Sequence, residues 1–208
     1  MATTTFTGAV RSQGGFTSVS KNSSTGAFTT LSSISSTGVS SFDANTMAVE
    51  AGTGITTGSG TIYRSAVQRV GGIITTRILI DLTGLRSTGS GDIIGVNGTA
   101  LVCHIGQITA AKNGTVLTGS MECFEAPAGG DPDINIHSAT EGTGVEDGAI
   151  SSLSETLLVN AGDATLGSKV YFTAVPAADE FLYLTTGDAT DADYTAGKLF
   201  IEMMGYEA

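Results

Sequence analysis

From Gly71 to Gly84 the chain alternates: Ile74, Thr76, Ile78, Ile80 and Leu82 share one side of an extended segment, and Thr75, Arg77 and Asp81 share the other. A period of two residues is the side-chain repeat of a β-strand, so the stretch predicts a strand with one buried and one wet face. Three further strands are predicted near the C-terminus, over Lys169 to Ala174, Glu180 to Thr186 and Gly197 to Gly205. In the last, Leu199, Ile201 and Met203 are in phase. No stretch has a convincing helical period, and Ser151 to Asn160 is the one weak candidate.

Two Asn-Gly pairs, Asn97-Gly98 and Asn113-Gly114, are the strongest turn signals, because a type I′ hairpin turn needs positive φ at both central residues. They predict a meander from Asp92 to Ala126. In that register Lys112 faces Thr115, His104 faces Cys123 and Cys103 faces Phe124. The two cysteines then point to opposite sides of the sheet. The expectation is two free, buried thiols rather than a disulfide.

Threonine is spread throughout, tryptophan is absent and the 29 glycines far outnumber the 3 prolines, a balance that favours strands joined by tight turns over helices. The predicted fold class is all-β: an antiparallel β-sandwich, jelly-roll-like, with a closed β-barrel as the alternative. A length of 208 residues suits one such domain, or one domain with an arm. Residues 1–60 are almost uncharged and carry isolated apolar residues such as Phe6, Val10, Phe16, Val19, Phe28, Leu31 and Ile34. They read as an extended Ser/Thr/Gly-rich arm or as the first strands, ahead of a sandwich over residues 61–208. No repeat of fixed period is present, which disfavours solenoids and propellers.

Charge is divided near Met121: the residues up to it hold seven Lys+Arg and four Asp+Glu, and those after it two and sixteen. A net charge of -11 with only nine cations argues against nucleic acid as a partner. No apolar run approaches the roughly 20 residues needed to span a bilayer, so no membrane partner is expected. The opening MATTTFTG has neither the basic nor the apolar region of a secretory signal, and synthesis in a cytoplasm is the simplest expectation. The sequons at Asn22, Asn97 and Asn113 then read as turn residues.

The chemistry-bearing residues are sparse. Cys103, His104, Cys123 and His137 are the only soft ligands and lack the close paired spacing of a zinc site, so they read as core residues. Asp188, Asp191 and Asp193 share one short loop of the kind that can hold Ca²⁺, but the glycine and bidentate glutamate of a known calcium loop are missing. Asp131 and Asp133, beside a proline turn, are similar, and all five read as solvated loop acids. Gly-Ser-Gly at 58–60 and 89–91 lacks the lysine of a phosphate loop and reads as turns. No nucleophile elbow surrounds a serine or cysteine. The expectation is no catalytic residue, no cofactor and no metal, and a chain that is not an enzyme.

The segment VYFTAVPAADEFLYLTTGDATDADYTAGKLFIEMMGYEA, and above all YTAGKLFIEMMGYE, resembles the C-terminal ends of structural proteins from tailed-bacteriophage virions. That resemblance implies a capsid decoration, or cement, protein: a small β-sandwich, often a homotrimer, on the outer surface of a phage head, tying neighbouring major capsid subunits together. A head or tail fibre component and a glycan-binding β-sandwich are the alternatives. The few aromatic residues, 6% of the chain, weigh against the last, since sugar platforms are built from exposed rings. A low-charge arm with spaced apolar residues suits strand addition to a neighbour's sheet edge.

Overall fold

The computed structural model describes residues 15–34, 40–42, 48–98 and 100–207. The chain divides into two compact units, residues 1–47 and residues 48–208. The first is a three-stranded antiparallel meander of β1 (Phe16–Lys21), β2 (Phe28–Ile34) and β3 (Ser40–Phe42). Asn22 caps the β1–β2 turn, its Oδ1 accepting from the Ser24 and Thr25 amides at 2.8 and 3.0 Å, in keeping with its reading as a turn residue. Every residue of β1 is exposed. Phe6 and Val10, read above as spaced apolar residues of the arm, lie outside the described residues.

The second unit opens with a single helical turn, α1 (Thr53–Thr56), and a hairpin of β4 (Ile62–Val70) and β5 (Ile73–Asp81). The short strands β6 (Arg86–Ser87) and β7 (Gly106–Gln107) lead to a second helical turn, α2 (Ala110–Asn113), and the long β8 (Thr115–Ala128). There follow β9 (Ile134–Ala139), β10 (Glu155–Val159), β11 (Lys169–Tyr171), β12 (Phe181–Thr186), β13 (Ala192–Asp193) and β14 (Ala196–Tyr206). The strands form an antiparallel β-sandwich, not a closed barrel: a five-stranded sheet β11-β8-β14-β5-β4, a four-stranded sheet β10-β9-β12-β7, and a small β13-β6 pair. Among the described residues no helix is long and apolar enough to cross a membrane.

The predicted alternation holds where one face of a strand meets the core. Ile74, Ile78, Ile80, Leu199, Ile201 and Met203 are all at most 1% exposed and pack in one cluster with Ile134, Ile136, Leu182 and Leu184 of the other sheet. Asp81 departs from the pattern: expected on the wet face, it is 8% exposed. Burial raises its pKa, but hydrogen bonds from Thr83 and the Lys198 ammonium outweigh this and hold the carboxyl below its ordinary value.

The four-stranded sheet breaks the period-two rule. All six residues of β9 are buried, as are five of the six in β12, because loops cover this sheet's second face. Several of the polar groups trapped there are paired, though the Ser138 hydroxyl has no partner: Asn135 Oδ1 accepts from the Ala161 amide, and His137 Nδ1 lies 3.0 Å from Thr185 Oγ1. The Tyr183 hydroxyl donates to Glu141 O at 2.7 Å and accepts from the Gly144 amide.

Two local expectations are corrected. The meander through Asn113-Gly114 does not form, because the only non-glycine residues with positive φ among those described are Asp147 and Asp179, so neither Asn113 nor Asn97 has the backbone of a type I′ turn. Asn113 instead ends α2, and Gly114 takes the positive φ of 64° that stops it. The Asn113 side chain is buried, donating to Thr76 Oγ1 at 2.7 Å and accepting from the Thr109 amide at 2.9 Å. β8 therefore pairs with β14 and β11, and His104 does not face Cys123. The helix candidate at 151–160 is a 3-10 turn, Ile150–Ser152, followed by β10.

Candidate interaction surface

The two cysteines are free and buried, as expected, but for another reason than hairpin register. Cys123 points inward from β8 opposite Leu199. Cys103 lies in a loop threaded between Gly54 and Gly95, on whose α-carbons a side chain would overlap its sulfur. Burial pushes the Cys103 thiol up to about 11, so it stays protonated and unreactive at neutral pH.

The histidines flank one residue. His104 lies 5.0 Å from the Phe181 ring and 6.5 Å from the Tyr183 ring, and Tyr183 is the cross-strand partner of His137. Burial lowers the pKa of both; at His137 the Glu155 carboxylate, 3.6 Å away, works in the opposite direction. Among the described residues no group of three His, Cys, Asp or Glu is placed to hold a metal ion.

Asp188, Asp191 and Asp193 are exposed, as expected of solvated loop acids, whereas Asp131 is buried. Arg86 Nη2 bonds Asp191 at 2.7 Å and its Nη1 bonds Asp193 at 2.8 Å, so one guanidinium clamps two of the three loop carboxylates across the β6–β13 pair. Asp131 is 1% exposed. Its two oxygens accept from the Asp133 amide at 3.0 Å and the Asp188 amide at 2.8 Å, tying the two acidic loops together. Burial raises the pKa of Asp131 despite these bonds. Asp133, whose Oδ1 is buried without a partner, is raised first by burial and then by the carboxylates of Asp131, Asp188 and Asp163. Arg86, Asp92, Glu146, Asp147 and Asp191 line an open cleft of about 590 Å³ beside this clamp.

The outer face of the five-stranded sheet has a different character. It follows from the same alternation that builds the core: every residue of β14 that is not inward must be outward. Phe200, Met204 and Tyr206 of β14 thus lie beside Phe124 and Leu117 of β8 and Tyr171 of β11. Phe124 and Phe200 stack nearly parallel, 5.2 Å apart. Leu117 and Tyr171 are 60% and 67% exposed, which marks the face as apolar surface in contact with water. Its cations on β5, β11 and β14 are each paired with acid, Arg77 with Glu202, Lys169 with Glu122, and Lys198 with both Asp81 and Glu125. On a chain of net charge -11, this face is close to neutral. Sequence reasoning placed Leu199, Ile201 and Met203 but did not assemble this face, because its neighbours are residues as much as 125 positions apart that only the sheet order brings together.

No protein-family model matches the chain, and no curated protein or solved structure matches it, so the fold and surfaces described above are what characterise it.

Proposed function

We propose that the chain is a structural virion protein of the capsid decoration type. It binds the outer surface of a phage head and bridges major capsid subunits as a homo-oligomer. The observation that carries the reading is the outer face of the five-stranded sheet, an apolar and charge-balanced surface on an otherwise acidic chain. Its central strand, β14, is the GKLFIEMMGY segment on which the resemblance rests. A cement protein needs a broad surface that gains from burying rings and methyls without setting like charges against each other. Phe124, Phe200, Met204 and Tyr171 supply the first, and the internal ion pairs supply the second. Repetition over a lattice then multiplies a modest affinity. The first unit adds exposed Phe16, Val19 and Phe28, which suit contacts with a neighbouring subunit. A sugar platform is less well served, since Tyr183 and Tyr194 are buried and hydrogen-bonded within the sandwich.

The test is sedimentation of purified heads of the source virus, freed of this chain and incubated with it, followed by electron microscopy. Wild-type chain should pellet with the heads and add regular density to their exterior. Phe124→Glu and Met204→Glu, both at exposed positions, should keep the fold and stay in the supernatant. A wild-type chain that never pellets, or variants that pellet equally well, would overturn the reading.

A further inference from the structure

We infer that β4 is a self-complementary sheet edge, and that two copies of this chain pair through it, antiparallel across a two-fold axis centred on Ala66. The inference does not depend on the capsid reading. It begins with a comparison of the sandwich's edges. β11 is three residues long and β7 two. β10 is partly closed, because Leu158 O accepts from the Thr173 amide at 2.8 Å. β4 differs: nine residues pair with β5 in unbroken register, and among the described residues no strand lies on its other side. It has no proline and no bulge, the usual devices that blunt an edge. Six of its residues, Ile62, Arg64, Ala66, Gln68, Arg69 and Val70, are exposed.

Its alternate positions, Ile62, Arg64, Ala66, Gln68 and Val70, read alike in polarity from either end. Antiparallel pairing about Ala66 sets Ile62 opposite the second copy's Val70 and Arg64 opposite its Gln68. Residues directly opposite in an antiparallel pair touch, so apolar meets apolar and cation meets amide, with no like charges facing each other. A slip of two residues in either direction sets Ile62 against Gln68 or Val70 against Arg64, which leaves an exposed apolar residue without an apolar partner. Register is thus specified by the ends of the strand. Ile62 and Val70, 47% and 67% exposed, have the most to gain.

Charge at this edge differs from that of the chain as a whole. β4 carries two arginines and no acid, on a chain of net charge -11, so pairing through it brings no carboxylates of the two strands together. Arg69 is already held by Glu207 and by Ala111 O, whereas Arg64 pairs with no acid among the described residues. The same patch on both copies makes the contact isologous, and it joins two five-stranded sheets into one of ten. This closes a two-fold and not the threefold implied by the phage resemblance.

The experiment is light-scattering mass measurement on the full chain over a concentration series, with two substitutions at the exposed Gln68. Wild type should show twice the 20.9 kDa chain mass. Gln68→Arg sets two arginines opposite each other at both symmetric positions and should weaken association by at least about tenfold. Gln68→Glu faces the free Arg64 of the second copy and should tighten it, with the gain lost at high salt. A one-chain or three-chain mass overturns the inference, as does a two-chain mass that neither substitution shifts.

Discussion

The sulfur of Cys103 occupies the space that a side chain on Gly95 would need. A methyl at position 95 overlaps it, and the Cβ of Glu146 closes the other side at 3.0 Å. Gly95→Ala should therefore destabilise the protein by about 1–3 kcal/mol, the usual cost of overpacking. Adding Cys103→Ala removes the sulfur and should recover part of that loss. A double-mutant cycle by urea denaturation checks it, and an additive result would show that the two positions do not share this space.

Asp133 gives a pH-dependent prediction. Its buried Oδ1 has no partner and faces neighbouring carboxylates, so the fold raises its pKa above the ordinary 3.8. The folded state binds this proton more readily than the unfolded one. Its contribution is therefore most favourable below pH 3.8 and is lost as pH rises through the folded value. Asp133→Asn removes the charge and should raise Tm at pH 7, by an amount equivalent to about 1 kcal/mol. The gain should shrink toward zero as the pH approaches 4. Equal Tm values at pH 7 would contradict this.

For the histidines the sign is reversed. Burial lowers His104 and His137 below the ordinary 6.5, so the folded state binds fewer protons and stability falls as pH drops below 6.5. His104, with Nδ1 buried and unpartnered beside Phe181 and Tyr183, is the simpler group to remove. His104→Leu should flatten the Tm profile below pH 6.5, leaving the part that His137 contributes. An unchanged slope would assign the pH dependence elsewhere.

Arg86 holds Asp191 and Asp193, and backbone amides take both oxygens of Asp131, so these acids are committed to the protein itself. Millimolar Ca²⁺ should leave the melting temperature unchanged. Arg86→Gln should loosen β13, seen as faster hydrogen exchange at the Tyr194 amide, which bonds Leu85 O in the native fold. A rise in Tm with Ca²⁺ in the wild type would show that the carboxylates can be recruited by an ion.

Much of the sandwich was legible in the sequence where burial is one-sided. Ile74 to Leu82 and Leu199 to Met203 alternate because one face meets the core and the other meets water, and a strand's period of two records that directly. INIHSA in β9 carried no such record, since loops bury both of its faces and erase the contrast. Asn113-Gly114 misled because the dipeptide supplies positive φ at a helix end as cheaply as in a hairpin. Which of the two forms depends on Thr76, 37 residues away, whose hydroxyl accepts the Asn113 amide.

By itself, then, the sequence determined the all-β class and the inward faces of β5 and β14, because these depend on local period and composition; the two thiols are free as expected, but through packing that the predicted hairpin register did not describe. Tertiary structure alone decided that Asp131 is a buried clamp, that Arg86 holds Asp191 and Asp193 of the acidic loop, and that β4 is left as an open edge. The reason is that each of these depends on which distant strands meet, and that choice is made by burying the whole core at once rather than by any short stretch of chain.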